Sequence, residues 1–296
     1  MSTQGIRMAV SSRGRRETGR TTAYVALVLM SIVVLLPFYY LVITSFKSFE
    51  EAIAEFKWLP ATFRFSNYAE VLAIPGFDFP RYFLNTMYIF LMKYIGTMVT
   101  CSLVAYGFVR YHFRYKELIF AIFMSVLMLP GELLTIPLYE AFINLGWMDT
   151  YRPLFIGTYF ATDIFTLFLF RQFFKSVPGS LFEAARIDGA GELRMYARIM
   201  LPLSRPVLVT VFLLYFTGTY NDIYGPALYI ISEEKYVLAQ CIGLIENLYN
   251  TGSQDFLTPF HLVAAATVFM ILPVIAVFFA GQKYFIEGVS TAGIKG

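Results

Sequence analysis

Glu183 opens the stretch EAARIDGAGELRMYARIMLP (183–202), in which two carboxylates, three alanines and two glycines precede a basic and partly apolar tail. The chemistry this set supports is docking. A carboxylate in the first turn of a helix is favoured by the helix dipole and can pair with a partner's basic side chain, while alanines allow a partner's backbone to come close. Ser180 followed by Glu183 has the spacing of a capping box, which predicts a short helix from Leu181 to about Asp188, ended by Gly189 and Gly191. Leu193, Tyr196, Ala197 and Met200 recur at i, i+3, i+4 and i+7, predicting a second helix with these four on one face and Arg194 and Arg198 on another. Pro202 and Pro206 then break it. Periodicity alone is equally satisfied by an amphipathic hairpin lying on lipid headgroups.

A second set consists of polar groups within or beside apolar runs: Asn85, Lys93, Glu132, Asp163, Asn221 and Asp222. An ionised group at mid-bilayer costs roughly 2.5–3.5 kcal/mol on insertion scales, so such residues face a cavity or each other. Lys93 and Asp163 lie deepest by count and could pair with one another structurally, with no role in transport; Asn85, Glu132 and Asp222, nearer span ends, can equally reach the interface. Tyr215, Phe216, Tyr220, Asn221, Asp222 and Tyr224 combine amide, carboxylate and aromatic faces, the groups a neutral oligosaccharide needs. Packing or lipid contact accounts as well for most aromatics in a chain where they are 18% of residues. Bond-making chemistry has no candidate: GxxxxGK[ST], HExxH and GxSxG are all absent. His112 and His261 fall on opposite sides of the topology below and form no metal cluster. Cys101 falls in a span and Cys241 in an outward loop, which predicts no disulfide and an outside-reactive Cys241 thiol.

The elements that position these groups follow from composition. The chain is 58% hydrophobic and 15% charged, with mean hydropathy +0.62, whereas soluble domains carry about 25% charged residues. Six apolar stretches approach the roughly 20 residues of a spanning helix: about 22–46, 83–108, 118–139, 153–174, 206–230 and 261–286. The expected fold is therefore all-α and polytopic, with a basic segment at 1–21 preceding a single transmembrane domain at 22–296. The first stretch follows Arg7, Arg13, Arg15, Arg16 and Arg20, but it is too long for a secretory signal and lacks a small-residue cleavage site, so it is read as a retained span.

With the amino terminus inside, sixteen basic residues fall on the inner side and six on the outer, while acidic residues distribute six inside and eleven outside. The positive-inside rule then favours six spans with both termini cytoplasmic. Net charge is only +3 and the basic residues flank spans, so lipid is the expected polyanion partner and nucleic acid is not. The long outward loops, about 47–82 and 231–260, mix aromatic, acidic and turn residues, as partner-binding loops do. Pro37, Pro130, Pro137 and Pro273 are expected kinks.

The stretch at 183–202 resembles the EAA loop of binding-protein-dependent ABC importers: Glu183, Ala184, Ala185, Gly189, Ile199, Leu201 and Pro202 fall at that pattern's spacing. RIMLPLSRPVL, MLPGELLTIPLY (128–139), YNDIYGPALY (220–229) and the terminal KYFIEGVSTAGIKG are similar to the sugar-importing branch, in particular the smaller permease of maltose-type transporters. The resemblance covers the chain after about residue 20. It implies six transmembrane helices and a coupling loop at about 178–202, whose ATPase-facing residues would be Glu183, Ala184, Ala185, Asp188, Gly189, Ile199, Leu201 and Pro202. It also implies a larger homologous permease, two ATPase subunits carrying ATP and magnesium, an extracytoplasmic solute-binding protein and a sugar or oligosaccharide cargo, with no cofactor on this chain, in a bacterial or archaeal cytoplasmic membrane. The candidate translocation path is Tyr220, Asn221, Asp222, Tyr224 and Asn85. Related permeases often have Trp before the Asn-Asp pair; Tyr220 here keeps an aromatic platform but adds a hydroxyl. The alternatives are an importer for another solute, such as glycerol phosphate, and an ion-gradient transporter coupled through Asp163, Lys93 or Glu132. A membrane-embedded enzyme is more distant, since no convergent catalytic set exists.

Overall fold

The computed structural model describes residues 3–54, 56–74, 77–250 and 259–293. Among them the secondary structure is helical, with no strand. In chain order the helices are α1 (Thr3–Thr44), α2 (Phe49–Ile53), α3 (Ser66–Ala73), α4 (Phe79–Arg110), α5 (Lys116–Ser125), α6 (Thr135–Asn144), α7 (Arg152–Phe155) and α8 (Ile164–Ser176). Then follow α9 (Ser180–Ile187), α10 (Glu192–Met195), α11 (Leu201–Leu203), α12 (Arg205–Tyr220), α13 (Tyr224–Tyr229), α14 (Leu238–Asn250) and α15 (Phe260–Gly293).

Four stretches are long and apolar enough to cross a bilayer: Arg20–Thr44, Phe79–Arg110, Arg152–Ser176 and Phe260–Gln282. Two more qualify only as bent pairs. Lys116–Val126 and Gly131–Asn144 meet at 87°, and Glu192–Leu203 and Arg205–Tyr220 at 72°. The continuous third span expected at 118–139 is thus a broken element, since Pro130 supplies no amide hydrogen and the residue before it is forced out of helical conformation. The basic amino-terminal segment and the first span are one helix, α1.

The chain forms two compact units. In the unit made of residues 1–73 and 249–268, α2 is started by Ser48, whose hydroxyl accepts from the Glu51 amide while the Glu51 carboxylate accepts from the Ser48 amide. This closed box orders the beginning of the segment between α1 and α4. Asn67 is buried and donates its amide to the carbonyls of Ser45 and Lys47, tying α3 to the end of α1.

In the unit made of residues 74–248 and 269–296, α4 is the central element, with α8 and α12 packed on it. The turn at Ile156–Phe160, just before α8, also packs on α4, and this contact needs a small residue: a Cβ at Gly96 would stand 2.5 Å from the Thr158 hydroxyl and 2.9 Å from the Tyr159 ring. Thr100 fastens the same contact by donating to the Thr158 carbonyl at 2.8 Å. Lipid tails are as apolar as Leu, so close packing and interhelical hydrogen bonds of this kind hold helices together inside a bilayer. Asp163 caps α8 by accepting from the Thr166 amide at 3.0 Å and from the Tyr215 hydroxyl at 2.7 Å.

Lys93 and Asp163 do not pair with one another. Lys93 instead lies 3.4 Å from Asp222, because the turn between α12 and α13 brings that carboxylate to α4. Arg171 is buried, with its guanidinium 3.8 Å from the Phe120 ring centre and 2.6 Å from the Glu117 carboxylate.

Candidate functional site

Loop 178–202 lies in the second unit and begins with α9. The Ser180–Glu183 capping box does not close: the N-cap is Gly179, already helical at φ −62° and ψ −31°, and no side chain caps the helix. A cap residue needs extended backbone, and the helix starts one residue too early for Ser180 to supply it. The other end is as the glycines predict. Gly189 adopts φ +76°, its amide donates to Arg186 at 3.1 Å, and the Ala190 amide donates to Ala185 at 2.9 Å. These two bonds are the Schellman closure, which a left-handed residue at this position makes possible.

The faces of α9 are sharply different. Phe182 is 2% exposed, its ring sits beneath the Arg110 guanidinium at 4.3 Å, and the Tyr106 ring is 6.5 Å away. Ala185 packs half-buried beside the same cluster. Glu183, Ala184, Asp188 and Gly189 are exposed, and Ile187 is 87% exposed. One turn of helix therefore offers a carboxylate and an isoleucine on a surface held from behind by an aromatic anchor.

The second helix exists, and half of its predicted inward face, Tyr196 and Met200, does turn inward. Met195, Tyr196 and Met200 are buried, whereas Leu193 is 77% exposed and Ala197 is exposed. Two causes overrule the sequence periodicity. Glu192 is drawn inward by hydrogen bonds, and residues Tyr196–Met200 form a π-turn, which takes more residues per turn than the 3.6 repeat assumes. Ile199 and Leu201 are half-buried and Pro202 is exposed. The corner into α12 falls at buried Ser204, whose hydroxyl donates to the Met200 carbonyl at 2.6 Å.

The candidate path residues have separate surroundings. Tyr220 is enclosed, its hydroxyl donating to the Met270 carbonyl at 2.7 Å, so it packs inside the unit and presents no platform. The Asn85 amide donates to the carbonyls of Glu234 at 3.1 Å and Tyr236 at 2.9 Å, pinning loop residues 234–236 to α4. Asp222 caps α13 through the Gly225 amide at 2.9 Å and pairs with Lys93. Asn221 and Tyr224 remain exposed. Glu132 lies exposed at the break between α5 and α6.

Two features of the loops at 140–152 and 231–260 have no signal in the sequence. Residues 231–260 contain the helix α14, in which Cys241 is fully buried and its thiol pushed up to about 12 by loss of water. An outside-reactive Cys241 is thus overturned: helix formation turns the thiol into the packed interior. Asp149, at φ +54°, accepts from the Ile231 and Ser232 amides at 3.0 and 2.9 Å, and its carboxylate lies 2.6 Å from the Lys235 ammonium. The ammonium first, then the Ser232 donors, hold the Asp149 carboxyl well below the usual carboxylate range. An Asp-Thr pair in a short loop carried no sequence signal for this latch.

No group of three or more metal-ligating side chains is found among the described residues. The family model of the inner membrane component of binding-protein-dependent transport systems matches residues 98–291. The chain is 32% identical over 269 residues to the diacetylchitobiose uptake system permease of Streptomyces coelicolor, covering 90% of this chain and 86% of that one. It is 31% identical to the sn-glycerol-3-phosphate transport system permease of Agrobacterium fabrum, over 92% and 96% of the two chains. A crystal structure of a bacterial ABC transporter that imports the acidic polysaccharide alginate superposes with a TM-score of 0.77 at 26% identity, over 92% of this chain and 98% of that chain. A match across two thirds of the chain, on a helical scaffold with four to six membrane-length elements, makes this chain a member of the binding-protein-dependent transport inner membrane component family, a transport subunit and not an enzyme.

Proposed function

We propose that the chain is one of two homologous permeases in an ATP-driven importer of sugars or oligosaccharides, and that α9 is its contact with the ATPase. The observation that carries this reading is the exposed Glu183, Ala184 and Ile187 surface, ended by Gly189 and anchored from behind by Phe182. With Ala184 one turn away on the same face, Ile187, at 87% exposed, gives this surface apolar area that a partner can cover. In this reading the six spans, two of them broken, place both termini and loop 178–202 inside, as the distribution of basic residues favours. Two ATPase subunits carry ATP and magnesium beneath, and a solute-binding protein delivers cargo outside. Closure of the ATPases moves α9, and the spans rock between inward-facing and outward-facing states.

The sugar class is supported by the diacetylchitobiose and alginate systems to which the chain is similar. The glycerol phosphate relative keeps an anionic cargo as the rival. Exposed Asn221 and Tyr224 are neutral hydrogen-bonding groups, and Lys93 is already paired with Asp222, which suits a neutral sugar better than a phosphate ester.

The test is Glu183→Lys in the complex reconstituted in proteoliposomes with its own ATPase and binding protein. The variant inserts normally but co-purifies poorly with the ATPase and loses binding-protein-stimulated hydrolysis. Wild-type association and wild-type ATP-dependent uptake would remove α9 as the contact with the ATPase.

A further inference from the structure

The docking helix is clamped to one span in particular. We infer that Glu192 is a positioning residue that joins α9 to the inner end of α4, so that the two move as one body and ATP-driven displacement reaches α4 directly. This rests on the proposed docking role of α9.

The contacts are specific. The Glu192 carboxylate accepts from the Tyr106 hydroxyl at 2.9 Å and from the Arg186 guanidinium at 2.8 Å, and it lies 3.9 Å from Nε of Arg110. Tyr106 and Arg110 belong to the last turns of α4, and Arg186 to the last turn of α9. The same α4 residues hold Phe182 from the other side, with Arg110 over its ring and Tyr106 beside it. Ser102, one turn further along α4, exchanges a 2.6 Å hydrogen bond with the Tyr196 hydroxyl of the π-turn. A carboxylate that joins three elements in a partly dehydrated place resists relative motion of all three, because breaking any contact leaves a charge or hydroxyl without its partner.

The connection along the chain is by contrast weak. From α9 to α12 the backbone passes the left-handed Gly189, the π-turn and the 72° corner at Ser204, each a place where a push is absorbed by bending. Side-chain contacts to α4 are therefore the stiffer route. α4 is in turn the element on which α8 and α12 both pack, so its displacement reaches the rest of the unit.

The direct test is a distance measurement in the assembled complex. Cys101 and Cys241 are buried, so spin labels at Ser180→Cys and Tyr111→Cys report α9 and the end of α4 without removing them. Electron–electron resonance should give the same distance in nucleotide-free and ATP-trapped complexes. In a Glu192→Ala background the ATP-trapped complex should show a shifted or broadened distance. Uptake per ATP hydrolysed should fall several-fold while ATPase co-purification stays intact, and Glu192→Gln, which keeps the Tyr106 hydrogen bond, should recover part of the coupling. A wild-type distance that changes with nucleotide overturns the clamp. So does a Glu192→Ala complex whose uptake per ATP is unchanged. Loss of ATPase association in Glu192→Ala would make Glu192 part of the docking surface and also reject the inference, whereas intact association and uptake in Glu183→Lys rejects the docking reading itself.

Discussion

Gly189 offers the cleanest test of how the proposed docking loop is shaped, because its environment separates backbone from steric effects. A side chain there meets nothing within 4 Å, so substitution introduces no clash, while φ +76° penalises any L residue. The left-handed conformation costs an ordinary L residue about 1–2 kcal/mol, with a β-branched one at the upper end, and asparagine visits it more readily. Opposing that cost are the two hydrogen bonds of the helix end, each with a net value of about 1 kcal/mol. The closed end of wild type is thus favoured by about 2 kcal/mol, or roughly 30 to 1. Gly189→Val brings closed and open ends to about equal population, and apparent affinity for the ATPase falls about twofold because half of the loops are competent. Gly189→Asn stays close to wild type and Gly189→Ala falls between them. Titrating the reconstituted permease pair with ATPase, and reading binding-protein-stimulated hydrolysis, separates affinity from maximal rate. The order Gly, Asn, Ala, Val in affinity with an unchanged plateau is the expected result. Equal effects of Asn and Val, or a lowered plateau that saturating ATPase does not restore, would show that the left-handed turn is not what matters at this position.

Other perturbations address the remaining elements. The carboxyl of Asp149 is held low by Lys235 and Ser232, so its stabilising contribution is fully present above the unfolded value of about 4 and fades as pH falls through the lower folded value. Thermal unfolding in detergent should show Asp149→Asn less stable than wild type between pH 6 and 8, with the gap closing only below about pH 4; a gap that closes near neutrality would contradict the latch. Native Cys101 and Cys241 should ignore an impermeant maleimide until the protein is denatured, while in intact cells Thr62→Cys reacts and Ser180→Cys does not; the opposite pattern reverses the topology. Asn221→Ala should slow uptake in a complex that assembles normally, and unchanged transport kinetics would leave Asn221 with only its 3.0 Å bond to the Thr217 carbonyl.

Much of this protein is decided locally and is therefore readable residue by residue. Long apolar runs give membrane-length helices because nothing else satisfies a backbone in lipid, and the glycine at 189 ends its helix because few other residues take that conformation cheaply. The spacing from Glu183 to Pro202 marks the loop that the family match includes. What no local rule contains is which polar group meets which. Lys93 chooses Asp222 over Asp163 because a turn after α12 carries one carboxylate to α4, while the other is spent capping α8. Tyr220 looks like a solute platform in sequence and is a packing residue in space, since its hydroxyl finds the Met270 carbonyl fifty residues away. Leu193 sits on the predicted apolar face yet lies in solvent, because Glu192 is pulled inward by Tyr106 and Arg186 and the π-turn changes the register. Helical periodicity is a property of one segment, whereas burial and ion pairing are properties of neighbours distant in the chain, and only the packed tertiary structure supplies those neighbours.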